Sequence, residues 1–102
     1  MGPGPRQLLD EAAAGRLDVV RREADEGTVF VLAGRPFAVL RGSAAEFRLR
    51  PDMVRAALRT PGTTASPRGP EWVAFTPPEE LDRYDVDRLT SWFEMAARLA
   101  GG

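Results

Sequence analysis

Arginine supplies every basic side chain of this sequence, and its spacing near the middle of the chain could create an anion-binding site. Fourteen residues are basic, and none of them is lysine. A guanidinium presents a planar fork of N–H donors that matches a carboxylate or a phosphate, and it stacks well on an indole ring. The candidates for ligand or anion binding are Arg48, Arg50, Arg68 and Trp72.

Alternatives to such a site follow from the same residues. Arg68 lies in residues 60–70, TPGTTASPRGP, a proline-rich stretch without an apolar pattern. This stretch is either a binding loop or a connector whose arginine pairs with a local acid. Trp72 and Trp92 either line a ligand pocket or pack between the last strand and the last helix.

Catalytic side chains are scarce, because the sequence has no histidine, cysteine or lysine. Thiol nucleophiles, histidine-based triads, zinc fingers and lysine Schiff bases are thereby excluded. Carboxylates, hydroxyls and a single tyrosine, Tyr84, remain. We therefore expect no enzyme activity, no catalytic residue and no cofactor.

An acidic cluster precedes the last predicted helix and consists of Glu79, Glu80, Asp82, Asp85 and Asp87. Its oxygens could bind a hard cation, but the spacing matches no EF-hand loop. The alternative is a solvated connection that leads into a helix, and we expect no metal site.

Charge is unevenly distributed, although the formal net charge is −1. Residues 1–32 carry −2, residues 33–70 carry +5 and residues 71–102 carry −4. The basic segment could follow a nucleic-acid backbone through Arg35, Arg41, Arg48, Arg50, Arg55 and Arg59. A pI near 5.4 and the absence of lysine make nucleic acid the less favoured partner.

Residues 28–50, TVFVLAGRPFAVLRGSAAEFRLR, predict a β-meander on which the rest of the fold is built. Three apolar runs are separated there by glycine-containing turns. We also predict helices over residues 6–14, from Pro51, and over 86–100, and strands over 18–24 and 71–76. Residues 18–24 could instead be helical. Asp85 is the expected N-cap of the last helix.

These elements give the order α-β-β-β-β-α-β-α, which predicts the α+β class with a mainly antiparallel sheet. One domain is expected over residues 1–102, with residues 1–5 frayed and residues 60–70 as a loop.

Alternation along the meander predicts which side chains face the core. If Phe37 and Val39 lie opposite Leu49 and Phe47, the second turn holds an odd number of residues. The core face then carries Phe30, Leu32, Phe37, Val39, Phe47 and Leu49, and the opposite face carries Val29, Val31, Ala38 and Leu40. Exposed apolar patches usually mark contact sites, so Val29, Val31 and Leu40 are candidates for self-association as a homodimer. The alternative is that the N-terminal helix covers them.

Several short motifs resemble known bacterial families. The resemblance is carried by GRPFAVL at 34–40, EFRLRPDMVRAALRTPG at 46–62, WVAF at 72–75 and the C-terminal helix. These runs are similar to MmcQ/YjbR-like proteins, and the WVAF strand also resembles the small luciferase-family domains of actinobacteria. The resemblance implies a YjbR/CyaY-like sheet with helices packed on it. The double-wing label of such folds implies DNA binding, and no catalytic residues come with it.

Together these observations favour a small non-catalytic binding or interaction domain of unknown partner. The alternatives are a weak nucleic-acid-binding domain that uses the arginine-rich segment and a small-molecule site at the proline-rich loop. No apolar run approaches the roughly 18–20 residues that cross a bilayer, and the N-terminal residues lack a signal-peptide layout. We therefore expect a cytoplasmic protein without a membrane segment.

Overall fold

The computed structural model describes residues 4–101, which form three helices and six strands. These are α1 (Pro5–Ala14), β1 (Val19–Ala24), β2 (Gly27–Leu32), β3 (Arg35–Arg41), β4 (Ala44–Arg48), α2 (Pro51–Ala57), β5 (Thr63–Ala65), β6 (Trp72–Phe75) and α3 (Arg83–Gly101). The strands form one antiparallel sheet in the order β1-β2-β3-β4-β6-β5. The predicted α+β class is confirmed.

The N-terminal predictions have mixed outcomes. Residues 18–24 are strand rather than helix, as favoured. The predicted fraying of residues 1–5 falls partly outside the described residues, since residues 1–3 are not among them. It is wrong for Pro5, which begins α1, because proline suits the first turn of a helix.

One face of the sheet, here called the helix face, carries the hydrophobic core. Buried side chains of all three helices join this core. Its edge-to-face aromatic pairs are Phe93 with Phe30 and Phe37, and Trp92 with Phe47 and Phe75. Ring centroids are 5.1–6.2 Å apart, within the favourable range for such pairs. Trp92 therefore packs in the core between the last strand and the last helix.

A β-bulge in β3 changes which residues face the core. Phe30 pairs with Ala38, but the next residue of β2, Val31, pairs with Pro36, so Phe37 is an extra residue in β3. A bulge interrupts the alternation of side chains along its strand. Phe37 and Ala38 are consecutive, yet both are fully buried in the core.

The predicted faces are therefore wrong beyond Phe37. Ala38 and Leu40 belong to the core, whereas Val39 is buried on the other side of the sheet. We call this second side the open face, because all three helices pack on the helix face. Leu40, predicted to mediate self-association, is 1% exposed and belongs to the core.

The turns of the meander explain part of this difference. Ala33 and Gly34 join β2 to β3, and both have positive φ, at 54° and 77°, as a tight two-residue hairpin requires. This turn is one of the predicted glycine-containing turns. The next turn joins Arg41 to Ala44 through two residues, whereas the prediction required an odd number. The bulge, not the second turn, supplies the extra residue.

The proline-rich stretch contains a strand that was predicted as loop. β5 pairs with β6, with Thr63 opposite Phe75 and Thr64 opposite Ala74. The pairing gives this stretch a fixed course along the edge of the sheet. Three residues are too few to show an alternating pattern, which is why the sequence predicted only a loop.

The longest helix, α3, begins earlier than predicted. Asp82 accepts a hydrogen bond from the backbone N–H of Asp85 at 2.8 Å, and Asp85 accepts one from the backbone N–H of Asp82 at 3.1 Å. This reciprocal arrangement is a capping box, so Asp82 is the cap and Asp85 lies one turn inside the helix.

Across residues 4–101, no helix has the length and apolar character needed to cross a membrane.

Candidate anion-binding site on the open face

A buried carboxylate organises the open face of the sheet. Glu46 lies on β4 between Val39 of β3 and Ala74 of β6, and it is 3% exposed. Its Oε1 accepts hydrogen bonds from Ser66 Oγ at 2.8 Å and from Arg68 Nε at 3.0 Å. A buried charge needs such partners, because its lost hydration is otherwise uncompensated.

Arg68 links both halves of the sheet across this face. Besides Glu46, its Nη2 pairs with Glu26 Oε1 at 3.3 Å, in the turn between β1 and β2. The guanidinium carbon lies 5.3 Å from the centre of the Trp72 ring, and the Arg68 backbone N–H donates to Ser66 Oγ. The loop is thus ordered, and its arginine pairs with acids from distant parts of the chain.

Apolar residues on the open face are also buried. Val29 and Val39 are 1% and 0% exposed although they lie outside the core. They belong to β2 and β3, which lie between Glu26 and Glu46 in the sheet. Arg68 contacts an acid on each side of these strands. Leu8 and Leu9 of α1 belong to the core on the helix face, so the predicted alternative, a cover formed by the N-terminal helix, is wrong. Of the predicted self-association residues, Val31 alone is half-buried on this face.

An open cavity of about 600 Å³ adjoins Arg68 on the open face. Its lining consists of Gly34, Arg35, Pro36, Arg48, Arg68 and Trp72. Three of the four predicted anion-binding residues are therefore brought together. The fourth, Arg50, lines a separate groove between α2 and α3.

The cavity has unused hydrogen-bond donors. Arg48 directs Nε and Nη2 to Glu71, at 2.9 and 2.8 Å, and Arg68 uses the same two nitrogens for its acids. Nη1 of each side chain has no partner within residues 4–101. Arg35 is exposed and makes no ion pair with the described residues. Arg35 was predicted only as part of a nucleic-acid stripe, because the close approach of the β2–β3 turn to Trp72 was not evident from the sequence.

The other candidate residues do not join this site. Tyr84 is exposed and stacks on Arg83 at 5.2 Å. Within the part of the chain described, no group of acids could hold a metal ion. The six arginines of the proposed nucleic-acid stripe do not form one continuous surface. Arg35 and Arg48 line the open-face cavity, whereas Arg50 lines the groove between α2 and α3 and Arg55 lies on α2.

Comparison with known proteins supports the fold. No family model and no curated protein matches the chain. A crystal structure of a protein from Pseudomonas syringae, a target of the Northeast Structural Genomics Consortium, is similar, with a TM-score of 0.67. It is 16% identical, and the match covers 98% of this chain and 99% of that chain. This likeness shows the fold alone, and the resemblance to MmcQ/YjbR-like and luciferase-family domains stays a prediction.

Proposed function

We propose that the protein is a small non-catalytic binding domain that recognises an anionic group, a carboxylate or a phosphate, on the open face. The observation that carries this proposal is the guanidinium of Arg68. It is held by Glu46 and Glu26, lies against Trp72 and borders a cavity that Arg35 and Arg48 also line. A ligand would meet two arginines, Arg48 and Arg68, that ion pairs already hold in place.

Pre-organisation is the physical advantage of this arrangement. A free arginine side chain loses roughly 2 kcal/mol of rotamer entropy when it is fixed. Arg68 has lost this entropy on folding, because two carboxylates and an indole ring define its position. The main free-energy costs of binding an anion are therefore immobilisation of the anion itself and partial desolvation of the guanidinium groups.

The net charge around the cavity limits the expected affinity. Arg48 and Arg68 are already paired with carboxylates, so a bound anion gains mainly from Nη1 of each and from Arg35. Binding should accordingly be weak for a single small anion. It should strengthen for a ligand with a second group that contacts Trp72.

Titration with inorganic phosphate and with succinate tests the proposal. Nuclear magnetic resonance can follow the two indole N–H signals separately, with Trp92 in the core as an internal reference. We expect a saturable shift of the Trp72 signal. The probe that binds with the higher affinity identifies the preferred anionic group, phosphate or carboxylate. Sodium chloride at equal ionic strength should not reproduce the shift.

Matched variants define the site. Arg35→Gln should weaken binding about fivefold, the effect of losing ~1 kcal/mol, because Arg35 is exposed and water screens its contact with the anion. Arg55→Gln removes the same charge from an exposed position on α2 and should change nothing. Equal loss of affinity in both variants, or no saturable shift at tens of millimolar anion, would contradict an anion site on the open face.

A further inference from the structure

A groove on the helix side of the molecule separates α2 from α3. It is a cavity of about 530 Å³, distinct from the open-face site. α1 packs against α3, whereas α2 packs chiefly against β6, so the helical layer has a gap between α2 and α3. The volume lies within the range of roughly 300–1,000 Å³ that small-molecule sites occupy.

The inner surface of the groove is apolar. Leu49, which follows β4, is 1% exposed, and the half-buried Met53 and Leu99 line the groove from α2 and α3. Met95 is 39% exposed there, a large fraction for an apolar side chain. Methionine is flexible and polarisable, so two of these side chains can adapt to ligands of varied shape.

The rim of the groove is basic. Arg50 pairs with Asp52 at 3.6 Å, but both side chains are mostly exposed, at 71% and 62%, so this pair is weak and readily exchanged. Arg98 also lines the groove and makes no ion pair with any residue of the described chain. One acid against two arginines leaves a net positive rim.

From these observations we infer that the groove binds an alkyl carboxylate, with its chain along the methionines and its carboxylate at Arg98 and Arg50. An apolar wall with a few charged groups at one side is the usual layout of a small-ligand site. The charge complementarity selects an anionic head group over a neutral or cationic one. A second copy of the chain would also bury the methionines, and the experiment below distinguishes that occupant from an alkyl carboxylate.

Methyl resonances of methionine report directly on this groove. The chain has three methionines, and two of them, Met53 and Met95, line it. In protein labelled with carbon-13 at the methionine methyls, decanoate should shift both signals saturably. The variants Met53→Leu and Met95→Leu assign the two signals. Octanoate should bind more weakly, by about fourfold for each methylene removed from the groove.

Head-group specificity supplies the decisive comparison. Decanol and decyltrimethylammonium share the chain length of decanoate and should bind more weakly. Arg98→Gln should weaken decanoate binding about tenfold, since a hydrogen bond to a charged group is the stronger kind, and should remove the preference over decanol. Arg55→Gln, an equal change of charge on an exposed part of α2, should leave binding unchanged.

Three results would overturn the inference. One is the absence of any saturable shift with decanoate, and another is equal affinity for decanoate, decanol and decyltrimethylammonium. The third is a dependence of the ligand-free methyl signals on protein concentration, which would assign the groove to a second copy of the chain. Because Arg98 and Met95 lie outside the open-face cavity, failure here leaves the phosphate and succinate titration unaffected.

Discussion

Replacement of Glu46 by alanine tests whether a buried carboxylate holds the open face together. Glu46 is 3% exposed and accepts hydrogen bonds from Ser66 and Arg68. Removing one partner of a buried ion pair typically costs about 3–5 kcal/mol, because the remaining charge loses its compensation. Arg68 is 21% exposed and keeps Glu26, so we expect Glu46→Ala to lower the free energy of unfolding by about 2–3 kcal/mol.

Urea denaturation at neutral pH measures this loss, and Glu71 provides a matched control. Glu71 pairs with Arg48 at 2.8 Å, but the two side chains are 48% and 33% exposed. Glu71→Ala should therefore cost less than about 1 kcal/mol. Glu46→Gln keeps an oxygen acceptor for Ser66 and should cost about 1 kcal/mol less than Glu46→Ala.

A double-mutant cycle isolates the contact between Glu46 and Arg68. The variants Glu46→Ala and Arg68→Ala, alone and combined, should give a coupling free energy of about 1–2 kcal/mol, as residues within one network do. If Glu46→Ala costs no more than Glu71→Ala, the carboxylate does not organise the open face. Arg68 would then not be held in place by Glu46, and the open face would lack a pre-organised guanidinium.

Other substitutions test the sheet and its packing. Gly27→Ala should cost roughly 3 kcal/mol in urea melts, because a Cβ there would lie 2.3 Å from the Leu40 carbonyl oxygen at φ +127°. Gly34→Ala, whose Cβ would meet nothing within 4 Å, should cost only roughly 1 kcal/mol, and equal costs would contradict the close approach. Phe47→Ala should cost roughly 3–5 kcal/mol, since Phe47 is fully buried against Trp92, and a loss below 1 kcal/mol would refute this packing. Light scattering should give the 11.1 kDa mass of one chain, because Leu40 and Val29 are covered within it; twice that mass would restore the homodimer hypothesis.

Local patterns in the sequence were sufficient for most of the elements. Apolar residues alternate in residues 28–50, and Val86, Leu89 and Phe93 follow helical spacing. Both patterns arise because one side of the element is buried, and both predicted elements that the structure contains, β2–β4 and α3. The bulge at Phe37 could not be inferred, because a run such as RPFAVL is apolar at consecutive positions and admits either register. β5 was missed because its pairing with β6 is a tertiary interaction.

The candidate site was predictable in composition but not in geometry. Arg48, Arg68 and Trp72 were selected for the chemistry of guanidinium and indole groups, and register brings Arg48 directly opposite Trp72. The role of Glu46 could not be predicted, since its donors come from a loop twenty residues later in the chain. Arg50 lies apart from Arg48 because β4 ends at Arg48 and Arg50 caps α2, so the alternation of the strand does not extend to it.

The bulge at Phe37 also has a consequence for how this fold tolerates change in evolution. A bulge is a one-residue insertion that the sheet has accommodated. The alternation of side chains between the two faces therefore shifts by one residue at Phe37 in β3. Deletion of one residue from β3 could be accommodated by loss of the bulge, without moving Ala38 or Leu40 out of the core. β4 has no bulge, so the same deletion there would turn Glu46 toward the core and Phe47 toward the open face. Relatives of this chain should therefore vary in length at β3 and keep β4 free of insertions and deletions.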